Sequence, residues 1–132
     1  MNPRKFVVVG TAAETTITVT RASASDERPQ GLVLDADHEL VVGDVTSTRI
    51  VLWADTAPAE VSLATSEAGD LRMWNVWQDG DLMQAWDGEA WIDVDDEGDD
   101  LGLACHDGHD GDGPDLVVRV SFDRAWTQPT DD

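Results

Sequence analysis

An all-β chain is what this sequence predicts: an antiparallel β-sandwich or jelly roll of roughly eight to ten short strands with little or no helix. Three observations carry that expectation. Apolar residues recur at every second position over short runs, the pattern of half-buried strands. Turn-forming pairs such as Gly43-Asp44, Asp79-Gly80 and Asp87-Gly88 interrupt those runs at about ten-residue intervals. No stretch of about a dozen residues carries apolar positions at helical spacing behind a capping residue.

The elements follow in order. Residues 6–9 are Phe-Val-Val-Val behind Arg4 and Lys5, which superficially resembles a secretory leader. The apolar run breaks at Gly10-Thr11, too soon for a leader's apolar region, so it reads as a strand and the protein as cytoplasmic. Residues 16–21 alternate cleanly, with Ile17 and Val19 on one face. Further strands are expected at 32–34, 40–42, 50–53, 61–65 and 71–77. His38 then falls on a turn between two of them. Gly69-Asp70 and Pro29-Gln30-Gly31 read as turns as well. Residues 71–94 read as a three-strand meander, because Asp-Gly pairs suit tight hairpins. Residues 101–105 put Leu101, Leu103 and Cys105 on one face, and residues 116–122 do the same for Leu116, Val118, Val120 and Phe122. One domain over 1–126 is expected, with a short acidic tail at 127–132.

The formal net charge is −20, from 28 Asp and Glu against 8 Lys and Arg. That balance argues against direct nucleic-acid binding and against an anionic membrane surface, which would both repel the chain. No apolar run approaches the roughly 20 residues of a membrane-spanning helix. The charge is also local. Residues 79–115 hold 14 of the acids and not one Lys or Arg. A surface adapted to high salt would spread its carboxylates instead, although one Lys against seven Arg leaves such an origin open.

Two Asp-rich segments interrupt the strands in that region. Asp93, Asp95 and Glu97 followed by Gly98 match the opening of a calcium loop, whose alternate carboxylates converge on a hard cation. Ala104 stands where an EF-hand needs its bidentate Glu, so an EF-hand is ruled out. Asp107, Asp110 and Asp112, interleaved with glycines, are the second set of candidate Ca2+ ligands. The plainer reading is two solvated acidic loops. Cys105, His106 and His109 form the one group with soft-metal character, but they lack the repeated ligand pairs of a zinc site. A buried, inert thiol is the commoner role for such a cysteine.

Six Trp, two Phe and no Tyr make an unusual aromatic set. Trp74, Trp77, Trp86 and Trp91 all lie in the expected meander and are the candidate ligand-binding rings. Trp74 and Trp77 are an odd number of residues apart, so a regular strand sends them to opposite faces. One face is core; the other is covered by another element or open to a ligand. A ring beside carboxylates is the chemistry sugar-binding modules use, whereas a small domain also needs large rings simply to fill its interior.

No G-x-S-x-G, H-E-x-x-H, C-x-x-C or P-loop occurs, and plentiful acids alone assign no acid and base. The expectation is therefore a non-enzymatic binding domain, for a carbohydrate or calcium, using the Trp-rich sheet and the acidic loops. The alternative is an acidic interaction module of the immunity-protein or nucleic-acid-mimic type, engaging a basic protein. A third reading is a structural domain without a ligand.

The charge generates a first test. Like charges about 6 Å apart cost roughly 0.7 to 2.8 kcal/mol per pair at effective dielectrics of 80 to 20. Sodium chloride at about 1 M shortens the screening length to roughly 3 Å, and the melting temperature should rise with it. A melting temperature indifferent to salt would contradict the charge argument.

Overall fold

The computed structural model describes residues 5–25, 29–79, 82–84, 90–95, 100–107 and 114–127. Within them the chain forms β1 (Val7–Thr11), β2 (Thr15–Ala24), β3 (Gln30–Val42), β4 (Val45–Trp53), β5 (Glu60–Thr65) and β6 (Gly69–Asp79). Then follow β7 (Leu82–Gln84), β8 (Trp91–Asp95), β9 (Leu101–His106), β10 (Leu116–Phe122) and β11 (Trp126–Thr127). Every pairing among them is antiparallel. No helix occurs among the described residues, and so none long and apolar enough to cross a membrane. The chain is all-β.

Hydrogen bonding is continuous along β11-β1-β6-β3-β5-β2-β10-β9-β8, with β4 on β3 and β7 on β6. This makes one continuous curled antiparallel sheet, which fits the all-β expectation. The curl is built by β3, 13 residues long. Its first half, Gln30 to Ala36, pairs with β6, while Leu40 and Val41 pair with β5. The register breaks between Asp35 and Leu40, and β4 follows β3 on both sides of the break. Residues 32–34 and 40–42 are therefore one strand, and His38 lies within it rather than on a turn. Gly43, at φ 55°, closes the two-residue loop into β4, a conformation glycine adopts at little cost.

Two other expected turns are strand. Gly69 pairs with Thr11 at the start of β6, and a Cβ on Gly69 would collide with the His38 ring. The missing side chain there serves close packing. Gln30 and Gly31 likewise open β3 against Trp77 and Val76. The meander is corrected too: β6 and β7 form its first hairpin, but β8 pairs with β9. Ile92 on β8 is fully buried beside Cys105, its register partner, so burial draws this strand across to the other wing. Thr127 pairs with Gly10, which carries the sheet one residue past the expected boundary of the tail.

Both wings feed one core. Val7 and Val9 on β1, Leu71 and Met73 on β6, and Ile17 and Val19 on β2 are all buried in the same cluster. Leu116, Val118 and Val120 join it as the alternation of β10 requires. A second, smaller cluster of Val33, Trp74 and Val76 lies on the opposite face of β3 and β6, with Val51 and Trp53 packed against it. Gly31 makes this possible: a Cβ there would stand 2.9 Å from Trp53 Cε3 and 3.2 Å from Val76 Cγ2. The bare backbone lets the indole lie down on the strand. Arg49 closes the top of Trp74, its guanidinium carbon 5.2 Å from the ring centroid. Arg72 donates to Asp35 at 3.1 Å and to Asp37 at 3.0 Å beside it. Those two carboxylates hold the Arg72 guanidinium above its ordinary pKa, Asp37 contributing most. The sheet thus accepts a large ring on each face by covering the second one itself.

Cys105 is fully buried, and desolvation with the nearby Asp115 charge pushes its thiol up to about 12. The thiolate is the reactive form. Labelling by a thiol reagent should therefore be very slow in native buffer and fast in denaturant; rapid native labelling would show that the core is open at β9.

Candidate functional site

Alternation along β8 buries Ile92 and turns Trp91, Asp93 and Asp95 to the outer face. Their cross-strand partners on β9 are His106, Ala104 and Gly102. On β10 the rows continue to Val117, opposite Ala104, and Arg119, opposite Gly102. At Gly102 and Ala104 the middle strand thus carries nothing larger than a methyl group between two strands with longer side chains, and His106 stands one row on. The result is a furrow of about 300 Å³ lined by Asp93, Asp95, Gly102, Ala104, Arg119 and Ala22, among others. A Cβ on Gly102 would stand 3.4 Å from Asp95 Cβ and 3.6 Å from a terminal nitrogen of Arg119, so both side chains flank the glycine. Arg119 also faces Asp100 at 3.9 Å. One row further along the same face, Trp91 and His106 stack with ring centroids 4.0 Å apart and planes 5° from parallel.

A second polar group lies on the inner face, at the end of the core. Gln30, Asn75 and Asp107 are all buried there. Gln30 Nε2 donates to Asp107 Oδ2 at 3.0 Å, and Asn75 Nδ2 donates to the His106 carbonyl at 3.2 Å. Asp107 N–H donates to Asp115 Oδ2 at 2.9 Å, across the ends of the β9–β10 hairpin. These bonds tie β3 and β6 of one wing to β9 and β10 of the other. Burial raises the Asp115 carboxyl above its ordinary value, the Asp107 N–H opposes that shift, and the Asp107 carboxylate adds to it.

Of the candidate residues, Asp93 and Asp95 line the furrow, and Trp91 lies one row beyond it on the same face. Trp74 and Trp77 are buried, at 6% and 1% exposure, so neither offers a ring face to solvent. Asp107 points inward and does not join Asp93 and Asp95, which sit on a strand rather than in a loop. Trp86, Glu97, Asp110 and Asp112 lie outside the described residues. No three His, Cys, Asp or Glu converge as metal ligands among the described residues. Cys105 and His106 are successive strand residues, with the thiol in the core and the imidazole on the outer face.

Sequence reasoning missed Arg119, Asp115 and Gln30. Asp115 carried a signal, since it closes the acidic run just as β10 begins. Gln30 carried none, because its partner is 77 residues away. The chain matches no protein-family model, no curated protein and no solved structure.

The raised Asp115 pKa has a pH consequence. The folded chain holds this proton more tightly than the unfolded one, so stability falls as pH climbs from the unfolded value through the folded value. Asp115→Asn keeps an oxygen for the Asp107 N–H and removes the charge. Its stability relative to the parent should improve as pH is raised across that window, measured by urea unfolding. A constant difference between the two proteins would show that Asp115 does not titrate abnormally.

Proposed function

We propose that this chain is a non-enzymatic, cytoplasmic binding module whose site is the furrow across β8, β9 and β10, and that its ligand is a saccharide. The observation that carries this reading is the furrow's lining. Asp93 and Asp95 stand along one wall and Arg119 on the other, over a floor of Gly102 and Ala104. Hydroxyl groups donate to the two carboxylates, and the guanidinium donates to ring or hydroxyl oxygens. Trp91, half-buried at the end of the furrow, supplies an apolar surface for a pyranose face. The volume is at the small end of ligand sites, which run from roughly 300 to 1,000 Å³. A larger hollow of about 490 Å³ beside Trp126 carries one carboxylate, Asp70, among its described residues, and these offer less for hydroxyls to bond.

The charge distribution favours a second reading, an acidic module for a basic protein. The 14 acids of residues 79–115 surround β8 in sequence, and β8 is the last strand on the sheet path. A basic segment laid along it would meet Asp93 and Asp95 on one face, with the encounter steered by the field of the whole chain.

Calorimetric titration with a panel of soluble oligosaccharides, and separately with oligolysine, tells the two apart. Saccharide binding should weaken about tenfold or more, roughly 1.4 kcal/mol, in Trp91→Ala and in Asp93→Asn while both variants melt like the parent. Binding to oligolysine alone, falling steeply with salt, would favour the acidic-module reading. No response to either would overturn both.

A further inference from the structure

We propose that the furrow's ligand is a linear oligosaccharide laid across the strands, meeting β8, β9, β10, β2 and β5 in turn. This rests on the saccharide reading and names the form of the ligand. The furrow is transverse. Its lining draws Asp95 from β8, Gly102 and Ala104 from β9, Val117 from β10 and Ala22 from β2. Four neighbouring strands span roughly 14 Å at their usual spacing, longer than one sugar ring.

A bulge keeps the β2 side open. Val117 on β10 is opposite Ser23, and the next residue, Val118, is opposite Arg21, which leaves Ala22 as an extra residue on β2. Bulges bend a strand and re-aim its side chains. This one sets an exposed methyl group at the furrow's far side in place of a longer chain. The hollow therefore runs out onto β2 and does not stop at β10.

The register continues the path. Asp95 is opposite Gly102, Gly102 opposite Arg119, Arg119 opposite Thr20, and Thr20 opposite Glu60. Residues directly opposite share a face of the sheet, so these five form one row over five strands, roughly 19 Å long. Arg119, Thr20 and Glu60 are all exposed. A carboxylate stands at each end of the row, with a guanidinium and a hydroxyl between them. Sugar hydroxyls both donate and accept, so a chain of sugars can bond to each of these groups. Ala22, Ala104 and Val117 line the furrow beside the row and give apolar contact to ring faces.

An extended peptide fits this row poorly. Peptides join a sheet through backbone hydrogen bonds along a strand edge, whereas a transverse row offers side chains alone. Carboxylates at both ends, in a chain of net charge −20, also repel an acidic saccharide. The proposed class is a linear saccharide without acid groups.

Calorimetric titration of the full chain with cello-, malto- and chito-oligosaccharides, from single sugars to hexamers, tests this. In a series that binds, affinity should rise roughly tenfold or more from dimer to tetramer and then level off. The double variant Thr20→Val, Glu60→Gln changes exposed positions only; it should melt like the parent and lose most of that gain. Ala22→Phe, which fills the open side of the furrow, should cut the gain likewise, and it keeps the path testable if the double variant does not fold. Affinity independent of length would overturn the transverse path and leave the saccharide reading standing, with one ring held in the furrow. A gain with length that survives in the folded variants would overturn the path as well. No binding at any length would overturn both.

Discussion

The change of partner along β3 is the constraint on which the other strands depend. A straight strand of 13 residues would span roughly 43 Å, longer than a core this small requires. By leaving β6 after Ala36 and taking up β5 at Leu40, β3 gives its two halves to two wings without interrupting the hydrogen-bond ladder. The unpaired stretch between them carries Asp37, His38 and Glu39, and polar groups there suit a bend whose ladder is broken. His38 lies against Gly69 and reaches Glu67 at 3.4 Å, so the bend is packed against the start of β6. Leu32 and Leu34 before the bend and Leu40 after it all enter one core. Without that turn the two wings would need separate cores, and about 130 residues supply hydrophobic area for one.

Local alternation was legible, and long-range pairing was not. The inward positions of β2, β9 and β10 follow directly from a period of two, and Leu101 and Leu103 carry Cys105 into the core with them. Period two carries no information about which strand lies alongside, so β8 reads as part of the meander although it sits on β9. Glycine misled for a related reason. Gly69 and Gly31 look like turn residues in a sequence, but each lies in a strand where an aromatic or imidazole ring needs the space of a Cβ. That requirement is set by His38 and Trp53, 31 and 22 residues away in sequence, and no local reading shows it.

The candidate site divides in the same way. Trp91, Asp93 and Asp95 could be seen as a set, because residues two apart on one strand share a face whatever the topology. Gly102 and Arg119, which turn that face into a furrow, come from strands whose register only the fold reveals. The inner polar group is less legible still. Asp107 looked like a loop ligand, yet the alternation of β9 carries it inward with Cys105, beneath Gln30 from the other wing. A buried polar group must find its partners wherever the fold puts them, and these came from opposite ends of the chain.

The acidity of β8 also bears on the edge that this strand presents. A strand with one unpaired edge recruits further strands, and among the described pairings β4 on β3 and β7 on β6 have such an edge besides the two ends of the path. At one end β11 is only two residues long, too short to template a partner. At the other, β8 is five residues long with Ile92 and Val94 on its inner side, enough to pair. Asp93 and Asp95 on its outer side meet that hazard. A second copy added antiparallel along β8 would set carboxylates against carboxylates, and like charges directly opposite across strands are destabilising. The same two residues would attract a strand of opposite charge. Repulsion between identical chains and the proposed affinity for a hydroxyl-rich or basic ligand would therefore both follow from one placement: carboxylates held two residues apart on the outer face of an end strand.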